Sequence, residues 1–202
     1  MRSFSEIETI SKRASRGAGF SWGVSEEIGK SVRLLEMFGL PGILYLKSYL
    51  EQISNHNFQK ITVISAENIS NNIPYCPISV GVNFMDQTHN LEKIERINFS
   101  NLAYPLLAVP FLSRSSEIIG KKILLNLENF KFLFNYNQSI FSNFDCSLIT
   151  KTSKFFISFN QNEDSFDKMT WDTLYKISQK TFVDETESSK KTSAGAGLTD
   201  ND

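Results

Sequence analysis

Arg16-Gly17-Ala18-Gly19-Phe20-Ser21-Trp22-Gly23-Val24-Ser25-Glu26-Glu27 separates two segments of helical periodicity, and its reading decides how the N-terminal part of the chain folds. Within it stand one cation, three glycines, two aromatic rings and two carboxylates. Glycine tolerates left-handed backbone and lets other groups approach the main chain, so this composition suits a helix-to-helix corner or a pocket built from backbone. As a corner, Gly17 takes the left-handed position after the first helix. At least one of Gly17, Gly19 and Gly23 should then have positive φ. Phe20 and Trp22 would plug the core, and Glu26 and Glu27 would lie in the first turn of the next helix, where the dipole favours carboxylates. As a site, Gly17, Gly19 and Gly23 admit a ligand, Trp22 forms a wall, Arg16 binds a substrate carboxylate, and Glu26 or Glu27 serves as acid or base.

Outward from this stretch, the spacing predicts a helix over 3–16. Ser3 and Glu6 have capping-box spacing, Phe4, Ile7, Ile10 and Ala14 form an apolar stripe, and Lys12, Arg13 and Arg16 crowd the last turn. A second helix is predicted from an N-cap at Ser25, with Val24, Ile28, Val32, Leu35 and Phe38 on one face and a Glu26–Lys30 pair on another. Gly39-Leu40-Pro41 places glycine after that helix and proline at the start of a third, 41–53, which turns Ile43, Leu46, Leu50 and Ile53 inward.

Beyond residue 58 the runs shorten and β-branched and aromatic residues dominate. Strands are predicted at 61–65, 78–85, 94–99, 122–127, 131–136, 144–149 and 154–159. Ile78, Val80, Val82 and Phe84 show the clearest alternation, while Pro105 and Pro110 make 106–112 a loop or an edge strand. A last helix runs over 170–183 from an N-cap at Thr170, with Met169 and Leu174 at staple spacing. The expectation is a single α+β domain over 1–183: helical at 1–55, strand-rich at 58–160, with N-terminal helices and one C-terminal helix packed on a mostly antiparallel sheet. A polar, glycine-containing tail occupies 184–202.

The chain has 202 residues and a net charge of −1, which offers no electrostatic reason for nucleic acid or an anionic membrane as partner. No apolar run approaches the roughly 20 residues that span a bilayer. The start lacks the apolar stretch of a signal peptide, and a cytoplasmic location is expected. Cys76 and Cys146 both lie in strand-like runs and are expected to be buried, reduced thiols.

Several motifs fall short of the chemistry they suggest. Gly17-Ala18-Gly19-Phe20-Ser21-Trp22-Gly23 resembles a dinucleotide fingerprint, but its third glycine is late and a helix precedes it where a strand is required. Gly23 with Gly29-Lys30-Ser31 has one residue too many for a phosphate loop, and it would set carboxylates against phosphate. His56 and His89 lack partners at metal-ligand spacing beyond Asp86, so no metal site is expected, and no cofactor is indicated. In the tail, Gly195 and Gly197 would fit a narrow channel, Leu198 would anchor it, and Asp200, Asp202 and the terminus would present carboxylates. Folding this peptide back toward the Arg16–Trp22 loop is a further expectation.

Ser3-Phe4-Ser5-Glu6-Ile7-Glu8, Arg16-Gly17-Ala18-Gly19, Trp22-Gly23, Glu26-Glu27, Gly39-Leu40-Pro41-Gly42 and the closing Gly195-Ala196-Gly197-Leu198-Thr199-Asp200-Asn201-Asp202 resemble a bacterial family known only as a domain of unknown function. The resemblance implies that the two Gly-Ala-Gly segments belong to one site, and it implies no activity, cofactor or catalytic residue. The function expected from the residues is a cytoplasmic small-molecule enzyme, or a subunit of one, acting on a polar, amino-acid-like metabolite. The alternative is a non-catalytic assembly or regulatory module that docks on a protein partner through its C-terminal tail. The oligomeric state is not indicated.

Overall fold

The computed structural model describes residues 2–53, 56–160 and 163–182. The chain forms two compact units, Met1–Asn162 and Glu163–Asp202. The architecture is α+β, with six α-helices and a mostly antiparallel six-stranded sheet among the described residues.

Ser3 caps α1 (Phe4–Gly17), its hydroxyl accepting from Glu6 N at 3.1 Å. The helix ends in a glycine turn in which Phe20 N donates to Ser15 O and Gly19 N to Arg16 O. That pattern puts the left-handed residue at Gly19, φ +98°, and leaves Gly17 inside the helix. One glycine of the corner thus has positive φ as expected, two residues later than the position read for it. Ser21, not Ser25, caps α2 (Trp22–Met37), its hydroxyl accepting from Val24 N at 3.4 Å. The same glycine turn recurs at Gly39, φ +72°, before α3 (Gly42–Ile53).

Because α2 starts a turn early, Ser25 is buried within it and its hydroxyl has no partner. Ser25 and Gly29 face α1, whose buried residues are Ser11 and Ser15. A methyl group on Gly29 would meet Glu8 O at 2.8 Å, so the two backbones run close together. Lys12–Glu26 at 2.7 Å and Arg33–Glu8 at 2.9 Å tie the seam. The cost falls on the apolar stripe of α1: Phe4 and Ile10 are exposed, contrary to the amphipathic reading. In α3 the inward residues include Tyr45 and Tyr49 as well as Leu46, while Ile43 is exposed. Tyr45 OH donates to Ser147 O at 2.7 Å and Tyr49 OH pairs with Cys76 Sγ at 3.1 Å, so burial leaves neither phenol unpaired.

The sheet runs in the order β1 (Glu67–Ile69), β2 (Arg96–Ser100), β8 (Phe155–Asn160), β4 (Lys122–Leu127), β5 (Phe130–Asn135), β6 (Ser139–Ser142). Only β1 with β2 is parallel. A separate antiparallel ribbon joins β3 (Leu102–Ala103) to β7 (Lys151–Thr152). Alternate residues Ile97, Phe99, Ile123, Leu125, Phe155 and Ile157 are buried, as period-two strands require.

Four segments read as strands, or as a possible edge strand, are not strands. Residues 78–85 belong to a helix, α4 (Pro77–Leu91), in which Pro77 occupies the first turn and Cys76 Sγ accepts from Ser79 N at 3.3 Å. Ile78, Val80, Gly81, Phe84, Thr88 and Leu91 make its buried face. Residues 106–112 form a 3-10 turn (Pro105–Ala108) leading into α5 (Val109–Ile119). Helix α5 packs on β4, β5 and α4, and Gly81 provides the space for the Phe111 ring. Residues 61–65 and 144–149 contain no strand. Cys76 is buried as expected, whereas Cys146 is exposed, and both are free thiols.

In the second unit, α6 (Lys168–Ser178) is capped by Asp167 rather than Thr170, the carboxylate accepting from Thr170 N at 2.7 Å. A 3-10 turn, Gln179–Thr181, follows. The tail residues Gly195, Gly197, Asp200 and Asp202 lie outside the described residues. No helix among those described is long and apolar enough to cross a membrane.

Candidate functional site

The residues singled out at the corner do not converge on one cavity. Arg16 turns back on its own turn, donating to Phe20 O at 2.9 Å with its guanidinium 5.3 Å above the Trp22 ring. Trp22 is 59% exposed. Gly17 and Gly23 face open space. Glu26 accepts from Lys12, and that hydrogen bond and charge hold its carboxyl below the ordinary value. Burial alone would push Glu27 up, but hydrogen bonds and charge from Lys30 and Arg114 outweigh it, and this carboxyl is lowered too. Both carboxylates are therefore ionised near neutrality and engaged in ion pairs: Glu26 across to α1, Glu27 to its own helix and to α5.

A cavity of about 300 Å³ does open beside the corner, and Gly19, Phe20 and Ser21 contribute to its wall opposite Lys60, Cys76 and Asn83. Arg16, Trp22, Glu26 and Glu27 are not among its lining residues. A second cavity, about 460 Å³, exposes Lys30, Arg33 and Arg114, but Glu27 and Glu8 already pair with all three. A wide apolar groove of about 890 Å³ runs along Phe4, Ile7, Ile10 and Ile43. Its charged residues are Arg2 and Glu6, paired at 3.0 Å, and Glu36, which accepts from Ile43 N.

The cavity with the richest set of unengaged polar groups lies elsewhere in the first unit. It measures about 640 Å³ and brings together Gln52, His56 and Phe58 after α3, Asn72 to Pro74, Ala103 and Tyr104, and Thr150 and Lys151. Main-chain hydrogen bonds hold these segments in place. Gln59 N donates to Pro74 O at 2.9 Å, Tyr75 N to Asn101 O at 2.8 Å, and Ala103 N to Tyr75 O at 3.1 Å. Ala103 pairs with Lys151 in the ribbon, and Tyr104 N donates to Thr150 O at 2.9 Å.

Tyr104 is the unusual residue of the cavity. Its backbone is left-handed, φ +41° and ψ +56°, and Asn101 three residues before it has φ +63°. A bulky side chain in that region costs roughly 1–2 kcal/mol, which the surrounding hydrogen bonds must offset. The conformation sets the Tyr104 ring edge-on to buried Tyr49, with centroids 5.6 Å apart, and Phe58 packs on the same Tyr49 at 5.1 Å. Burial, and then the charge of Glu51, push the Tyr104 phenol up, so it stays protonated and can donate. Its hydroxyl, the His56 ring and the Lys151 ammonium have no hydrogen-bond or ion-pair partner among the described residues. The sequence reading missed Tyr104 and Lys151 and weighed His56 only as a metal ligand. The one local signal was Tyr104 preceding Pro105, a place where left-handed backbone cannot be anticipated from residue type. No group of three or more His, Cys, Asp or Glu among the described residues could hold a metal ion.

The protein is thus of the α+β class, with a cavity of about 640 Å³ lined by His56, Tyr104 and Lys151 in its first unit. Residues 2–74 match the model of a family described as a protein of unknown function, DUF3726. That match takes in the corner and the part of the cavity contributed by residues 52–74, while Tyr104 and Lys151 lie beyond it. No curated protein and no solved structure matches the chain.

Proposed function

We propose that this protein is a small-molecule enzyme, or a subunit of one, that takes a polar, amino-acid-like metabolite in the cavity of His56, Tyr104 and Lys151. The observation that carries the reading is Tyr104: strained backbone at an aromatic side chain, whose protonated hydroxyl lacks a partner among the described residues at a cavity of metabolite size. A bacterial cytoplasm is the proposed setting. The family resemblance supports the bacterial source, and two free thiols suit a reducing compartment. The alternative, an assembly module docking through its tail, rests on residues 195–202, which lie outside those described.

The test is a thermal-shift screen of amino acids and their keto- and hydroxy-acid relatives on the wild type and on Tyr104→Phe, which keeps the ring and removes the hydroxyl. At least one compound should raise the melting temperature of the wild type, and Tyr104→Phe should lose most of that shift. Equal shifts in both proteins would place binding elsewhere. A screen in which nothing shifts the wild type would end the small-molecule reading.

A further inference from the structure

We infer that the ligand of the Tyr104 cavity is a small aromatic carboxylic acid, its carboxylate held by Lys151 and His56 and its ring laid over Phe58, Pro74 and Tyr104. The inference rests on the reading of this cavity as a ligand site and specifies the chemistry it takes. Charge comes first. Lys151 and His56 line the cavity, and no carboxylate does. Glu51, whose charge reaches Tyr104, is itself paired with Lys47 at 3.2 Å. In the cavity of Lys30, Arg33 and Arg114, by contrast, each cation already has a carboxylate partner, Glu27 or Glu8. In the Tyr104 cavity an ammonium, an imidazole and a phenol stand together without a partner among the described residues, so an anionic group supplied by a ligand would complete them.

Shape comes second. Phe58 and Tyr104 both pack on Tyr49, and with Ile73 and Pro74 they supply the apolar floor of the cavity. Apolar side chains that bury a ring while a few polar groups fix its orientation are the usual division of labour in such pockets. A ligand bearing only an anion would leave that floor wet, and a neutral ring would leave Lys151 unmatched. The Tyr104 hydroxyl, held protonated, adds a donor to the same anion or to a ring substituent.

The experiment titrates the full chain with phenylacetate, its neutral amide phenylacetamide, and acetate, following backbone amide resonances of residues 56–58, 72–73, 103–104 and 150–151. Phenylacetate should shift these amides and bind at least about tenfold tighter than either of the others. Lys151→Ala, which truncates an exposed side chain, should weaken phenylacetate by about tenfold and leave the amide unchanged, and Lys151→Arg should restore binding. Equal affinity for acid and amide would overturn the anionic half of the inference while leaving the cavity a ligand site. Acetate binding as tightly as phenylacetate would overturn the aromatic half. Shifts confined to other amides, or none with any probe, would overturn the inference entire, whereas the ligand-site reading stands or falls on the metabolite screen.

Discussion

At Gly19 the backbone is at φ +98°, where an L side chain is strained whatever space surrounds it, while Gly17 two residues earlier is ordinary helix with nothing within 4 Å of an added methyl. The two positions should therefore answer alanine with opposite signs. Gly19→Ala is expected to destabilise by about 1–2 kcal/mol. Gly17→Ala should stabilise by up to about 1 kcal/mol, since alanine loses less backbone entropy in a helix. Urea unfolding of both variants checks this, and equal losses would mean that the corner is not held by the Gly19 turn. The sequence required a left-handed glycine here, but its reading put that glycine at Gly17 rather than Gly19. Gly17 and Gly19 precede the next helix whether Ser21 or Ser25 caps it, whereas Gly23 does so only with Ser25 as the cap. Ser21 wins because starting the helix there puts Ser25 and Gly29 against Ser11 and Ser15, where small residues let α1 and α2 approach.

Glu27 shows how elements are joined through single side chains. It lies on α2, pairs with Lys30 of the same helix at 2.9 Å, and reaches Arg114 on α5. Its native carboxyl is lowered from the ordinary 4.5, so the ionised form is favoured by folding. The stability this contributes is fully present above the unfolded value and is lost as pH falls through the lower native one. Glu27→Gln should therefore be less stable than the wild type by about 1 kcal/mol at neutral pH, a half-exposed network being worth no more. The difference should close as acid protonates the native carboxylate. Denaturant midpoints across the acid range read it out, and a gap that persists far below pH 4.5 would assign the effect to shape rather than charge. At this scale too lies the main misreading. Ile78, Val80, Val82 and Phe84 alternate, yet the segment is α4, since α5 offers its buried residues a helical partner and Gly81 clears room for Phe111. The signal available was Pro77 at the first turn with Cys76 before it, a helix start in an otherwise strand-like run.

Across the whole molecule, the two cysteines report on how the long loops close. Cys76 is the buried cap of α4, its thiol paired with Tyr49 OH, while Cys146 sits exposed in the irregular segment after β6, its thiol 3.8 Å from Gly39 O. One thiol should react quickly with a bulky disulfide reagent in the native protein and the second only on unfolding. Two fast thiols would show that the cavity at the corner opens widely enough to admit the reagent to Cys76. The cavity of Tyr104 is a product of the same long-range closure. It draws on residues near 52–58, 72–74, 103–104 and 150–151, and the β3–β7 ribbon that aligns the last two pairs is two residues long on each side.

What the sequence determined by itself is the local chemistry. It placed three N-terminal helices, the glycine turns that end two of them, most strands of the antiparallel sheet and so the α+β class. Propensity, caps and periodicity act over a few residues and are written where they act. The tertiary structure alone decided which face of α1 is buried, that 78–85 is helical, and that Tyr104, His56 and Lys151 share a cavity. Each of those outcomes depends on a partner distant in the chain: Gly29 for the face of α1, Phe111 for α4, and Lys151 pairing with Ala103 for the cavity. Packing chooses among locally acceptable alternatives by the surface it can bury and the backbone groups it can pair.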